Sequence, residues 1–162
     1  MFKIDSINAL TIIRNSLRVN LTDPYVLAGG TRGTNIEWCW LDEPVAVQKY
    51  PMIQLEKIDN PTRPISIGQN YWEEEKLFIN IWFYSKHGFK LTISGTEYVN
   101  APLVEYYLGK IKTTLKSQFS ALHTAGVGSY KHINTTKVDY DPQTQLYYGA
   151  VTIGVRYFIA GC

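Results

Sequence analysis

At 162 residues the chain is long enough to bury one hydrophobic core without help from metals or disulfides, and is most simply a single domain. Its 16 basic and 14 acidic residues leave a net charge of +2, too balanced for a dedicated nucleic-acid binder. Hydrophobic content of 45% is ordinary for a globular protein, but 12 tyrosines are many, and tyrosine joins apolar area to a polar tip that suits sheet faces and wet protein interfaces.

The N-terminus, Met1-Phe-Lys-Ile-Asp, has neither the apolar core nor the cleavage site of a signal peptide, and no apolar run reaches membrane-spanning length. The expectation is a protein made and kept in a cytoplasm until assembly, with no membrane partner. Asn20-Leu-Thr and Asn134-Thr-Thr then match the glycosylation sequon by chance. Cys39 and Cys162 have no metal-ligand spacing and are too few for a disulfide framework, so both are read as reduced thiols.

In chain order, a first helix is expected after Asp5 or Ser6, either of which can act as N-cap. Ile7, Leu10, Ile13, Leu17 and Leu21 recur at helical spacing, with Arg14 and Arg18 on an exposed flank and Asp23-Pro24 as the stop. Residues 22–48 read as a long loop whose glycine-rich centre, Leu27 to Thr34, carries an exposed Arg32. The three glycines lack the Gly-Lys-Ser/Thr ending of a phosphate-binding loop, and ordering against a neighbouring subunit suits this segment better.

Tyr50 to Ile58 reads as a strand, followed by a second long loop over 59–72 that contains Pro61 and Pro64. The strongest strand is Leu77 to Tyr84. Leu77, Ile79, Ile81 and Phe83 share one face; Phe78, Asn80, Trp82 and Tyr84 share the other, aromatic one. Glu73, Glu74 and Glu75 before it do not converge as paired carboxylates, because neighbours on an extended chain point to opposite faces; a solvated charge cluster at the strand entrance fits better. Gly88 to Gly95 is a further short strand or an extended link.

A second helix is expected from Asn100-Ala-Pro, with Asn100 as N-cap and proline in the first turn. Its apolar stripe is Val104, Leu108, Ile111, Leu115, Phe119 and Leu122, and Lys110, Lys112 and Lys116 complement the dipole towards its C-terminal half. The chain closes with residues from Val127 to Asn134, a polar turn at Asp141, and a long alternating strand from Leu146 to Ile159. The predicted fold class is α+β, a mainly antiparallel sheet with two helices packed on one face.

No catalytic constellation emerges. His87, His123 and His132 lack ligand partners at metal spacing, and no Gly-x-Ser-x-Gly elbow exposes a nucleophile. The expectation is a protein that is not an enzyme and uses no cofactor.

The order of elements, with its "YPMIQLEKI" strand, long loop, "EEEKLFINIWFYS" strand, lysine-bearing helix and terminal "GAVTIGVRYFI" strand, resembles the tail terminator and tail-completion proteins of long-tailed viruses. The resemblance extends over nearly the whole chain as a layout. It implies a virion subunit that forms a ring, usually hexameric, on the end of the tail tube, stops tube polymerisation and docks to the head connector. Its partners would be itself, the tube protein and a connector or neck protein, with DNA met only by passage through the ring lumen. A ring requires two different patches on each subunit, and the expected interface residues are Arg32, Arg63, Tyr71, Trp72, Trp82 and Tyr84. A head-closure or neck protein, or a cellular domain that binds a ligand on its aromatic face, stays open as an alternative.

Overall fold

The computed structural model describes residues 6–33, 38–41, 49–59, 62–67 and 70–160, with the side chains at 6–8, 59, 62–67, 70–76 and 157–160 left out of the description. Helix α1 (Ser6–Asn20) forms where the 3.6-residue apolar period runs, and Leu10, Ile13, Leu17 and Leu21 are buried as that period requires. Arg18, expected on an exposed flank, instead turns inward and donates through Nη2 to the Cys39 carbonyl at 2.7 Å. That bond ties α1 to the first edge of the sheet.

The segment expected as loop over 22–48 contains the short helix α2 (Pro24–Leu27), capped by the Asp23 side chain on Tyr25 N, and the strand β1 (Cys39–Leu41); residues 34–37 and 42–48 lie outside the description. β1 runs parallel to β2 (Met52–Asp59), and β2 is antiparallel to β4 (Asn70–Lys86). The second expected loop, 59–72, is corrected more fully. Thr62 to Ile67 form β3, paired antiparallel with the first residues of β4 in the register Arg63↔Glu74, Ile65↔Trp72, Ile67↔Asn70. Proline suggested a loop here, but β3 pairs along one side only, so Pro64 removes no ladder bond on its open edge. Glu73, Glu74 and Glu75 accordingly sit within a paired strand, not at its entrance.

After β4 come a small hairpin of β5 (Lys90–Ile93) and β6 (Thr96–Val99), then α3 (Ala101–Ser117) and α4 (Phe119–Thr124). Asn100 does not cap α3 with its side chain. Its Oδ1 accepts from Gly88 N at 2.9 Å and so fastens the helix start to the turn after β4. The expected continuous stripe breaks at Gln118, which leaves Phe119 at the start of α4 and 36% exposed. β7 (Ser129–Thr135) and β8 (Asp139–Asp141) both pair with β9 (Leu146–Ala160), which in turn pairs with β4 along fifteen registered positions from Trp72↔Ala160 to Lys86↔Leu146. The main sheet runs β1-β2-β4-β9-β7, antiparallel except at β1–β2, and the fold class is α+β as the sequence indicates.

The core lies between the two long helices and one face of this sheet. Leu77, Ile79, Ile81 and Phe83 of β4 and Val151, Ile153 and Val155 of β9 are 0–1% exposed and meet Leu17, Leu108, Ile111 and Leu115. Phe83 stacks on Tyr107 with ring centroids 4.6 Å apart. α3 approaches β9 closely at Gly149, where a Cβ would stand 2.7 Å from Leu108 Cδ1.

Candidate functional site

Because both long helices bury their apolar stripes on one sheet face, the opposite face is left to side chains of β2, β4 and β9. Period-two alternation delivers Trp82 and Tyr84 from β4 to this face, and the Tyr84↔Tyr148 register brings Tyr148 beside them from β9. Tyr50, just before β2, completes the group. Trp82 lies 6.2 Å from Tyr84 and 6.1 Å from Tyr148, and Tyr84 lies 6.1 Å from Tyr148 and 6.5 Å from Tyr50, centroid to centroid. Polar groups pin the array: Trp82 Nε1 donates to Glu56 Oε2 at 2.9 Å, and Thr152 donates to Asn80 Oδ1 at 2.7 Å. Burial first, and the neighbouring Glu56 carboxylate second, push the Tyr84 phenol up to about 12. All four rings are half-buried. The result is a firm aromatic platform with polar tips, suited to contact with another protein surface.

Of the sequence-predicted interface residues, Trp82 and Tyr84 thus come together, joined by Tyr50 and Tyr148, which the prediction did not include. The alternation of the last strand fixes which of its residues share a face with Tyr148, but only the β4–β9 register shows that it meets Trp82. Arg63, Tyr71 and Trp72 fall on a separate feature. β2 pairs with β4 no further than Phe78, and β7 lies beside β9 no further than Arg156, which is opposite Lys76. Beyond these β4 continues back to Asn70, flanked by β3 on one side and by β9 up to Ala160 on the other. At about 3.3 Å per residue, this three-stranded tongue runs roughly 20 Å past the last pairs of β2 and β7.

Arg32 belongs to neither surface. Expected to be exposed, it is 6% exposed and held within its own chain. Its Nε and Nη2 grip both oxygens of Asp23, at 2.5 and 2.8 Å, while its remaining donors reach the carbonyls of Lys49 and Pro51, and the Tyr25 ring lies 5.2 Å away. A planar guanidinium with five donors can satisfy a carboxylate and two carbonyls together, which no lysine could do. Arg32 therefore fixes the entry to β2. Sequence reasoning took the surrounding glycines as a sign of exposure and had no means of finding Asp23, nine residues earlier, as the partner.

A third feature was not foreseen. Lys112 and Lys116 from α3, Phe119 from α4, and Tyr130 and His132 from β7 line a cleft of about 420 Å³. Burial, and next the Lys112 charge, hold the His132 imidazole below its ordinary value, and the Tyr130 hydroxyl is buried with no hydrogen-bond partner among the described residues. Cys39 is buried and its thiol is pushed up to about 12, chiefly by that burial, which makes it unreactive at neutral pH. Among the described residues no group of three His, Cys, Asp or Glu side chains could hold a metal ion, and no helix is long and apolar enough to cross a membrane.

No protein-family model matches the chain, and no curated relative matches it. Among solved structures, a chain from the virion of a native gene transfer agent particle is similar at 10% identity and a TM-score of 0.40, covering 92% of this chain and 93% of that one. A likeness of that size carries no weight for fold or function.

Proposed function

We propose that this protein is a virion structural subunit that closes into a ring of six at the end of a viral tail tube, ends tube growth and presents the docking surface for the head connector. The observation that carries this reading is the tongue of β3, β4 and β9. It runs on past the last pairs of β2 and β7 as three strands only. A narrow three-stranded extension is marginal by itself and gains from pairing or packing with a partner. The aromatic platform around Trp82 is a second surface of different shape and chemistry. Two unlike patches on one subunit are what a heterologous, ring-closing interface requires. The layout of the sequence, which resembles tail terminators, supports the same reading, as does the lack of any recognisable catalytic constellation.

The proposed role is tested by adding the purified protein to tail-tube subunits while they polymerise. Tubes should stop lengthening and show a cap at one end in electron micrographs. Tubes that grow to the same length distribution with and without the protein would remove the terminating role.

A further inference from the structure

We infer that the cleft between α3, α4 and β7 is a receptor for carboxylates, and that its occupant is the Glu73–Glu75 stretch of β4 from a second copy of this chain; this rests on the ring reading above. The net charge of +2 conceals a separation of charge along the chain. Residues 101–137 carry five lysines and one glutamate, whereas Glu73, Glu74 and Glu75 form its densest run of carboxylates.

Lys112 and Lys116 are four apart on one helix, so their ammonium groups flank the same cleft. Among the described residues neither has an ion-pair partner. The buried Tyr130 hydroxyl is a donor still without a partner, while Phe119 and the His132 ring, itself hydrogen-bonded to Thr135 Oγ1 at 2.9 Å, wall the sides. Convergent donors with no acceptor of their own call for an anion. At about 420 Å³ the cleft has room for side chains.

Tyr130 is in register with Val155 and Val155 with Leu77, while His132 is in register with Ile153 and Ile153 with Ile79. Measured from these two residues, Glu75 and Glu73 lie two to six positions away along β4, roughly 7 to 20 Å at strand spacing, with β9 between. β4 runs on past the end of β7 through that stretch. Seated in a neighbour's cleft, the tongue would make a head-to-tail contact between two unlike patches, which forms a ring when its rotation closes.

The test is charge reversal read out by the assembly of the full chain, using native mass spectrometry and sedimentation. Lys112 and Lys116 are exposed, so Lys112→Glu with Lys116→Glu should fold normally, which circular dichroism checks. Both that variant and Glu73→Lys with Glu74→Lys and Glu75→Lys should raise the concentration for half-assembly by roughly tenfold or more. Combining the two sets should bring it back towards the wild-type value. Should the triple variant misfold, Glu73→Gln with Glu75→Gln, the two that share a strand face, and the salt dependence of wild-type assembly serve instead, and both must weaken it. Reversed variants that assemble like the wild type, or a combined variant no better than either parent, overturn this inference and leave the ring standing. Lysine variants that lose retention of duplex DNA but keep assembly would also overturn it, by assigning the cleft to nucleic acid. A wild-type chain that never assembles overturns the ring reading and this inference together.

Discussion

Arg32 shows how one side chain can organise an irregular segment. Its guanidinium joins Asp23, Lys49 and Pro51, parts of the chain that share no strand or helix. Removing one partner of a buried ion pair leaves the other charge unpaired, so Arg32→Ala should cost about 3 kcal/mol in urea denaturation. Arg32→Lys should recover only part of that, because an ammonium lacks the planar fork; a loss under about 0.5 kcal/mol for the alanine variant would show the contact to be incidental. Tyr84 makes a prediction of the opposite kind. Its phenol ordinarily ionises near 10.0 and is pushed to about 12 in the folded chain, so the folded state holds the proton more tightly than the unfolded state. That stabilisation is complete below pH 10 and is lost as the pH rises towards 12. Stability measured from about pH 9 to about pH 11 should therefore fall, and Tyr84→Phe should lessen the fall. An unchanged slope in the variant would mean that Tyr84 is solvated in the folded state.

Elements were legible in the sequence where one periodicity dominated. α1, α3, the central part of β4 and all of β9 carry large apolar residues at fixed spacing, and each forms over the expected residues or close to them. β3 was missed because Pro61 and Pro64 signal a loop, and a free edge that tolerates proline cannot be seen before the sheet order is known. The aromatic platform was half legible. Alternation put Trp82 and Tyr84 on one face, but Tyr50 and Tyr148 arrive through register, which no local pattern encodes. The basic cleft depends wholly on how α3 lies against β7.

Two predictions belong to these elements. Ending the chain before Leu146 should abolish folding, since Val151, Ile153 and Val155 are 0–1% exposed and each contributes roughly 1.5–3 kcal/mol against a total of about 5–15 kcal/mol. A truncated protein that keeps native circular dichroism and a cooperative melt would make β9 peripheral. Arg63→Ala with Tyr71→Ala, by contrast, lies on the tongue past the last pairs of β2 and β7 and is expected to leave the melting temperature almost unchanged. In an assembling virus the same pair should give overgrown or headless tails. Normal tails of defined length, joined to heads, would reduce the tongue to a connector.

At the scale of the whole molecule, the fold divides its labour. One sheet face and two long helices make the core, while the other face carries the aromatic platform. The 17-residue β4 and the 15-residue β9 run on past β2 and β7, and on the proposed reading a neighbouring subunit completes that extension. On the proposed function this neighbour is another copy, arranged head to tail in a closed ring. Native mass spectrometry of the purified protein, with light scattering over a range of concentration, tests it most directly. A single closed species is expected, six copies by the resemblance to tail terminators, with no ladder of open intermediates and no growing filament. A strict monomer at every concentration, which also fails to cap tail tubes, would contradict it.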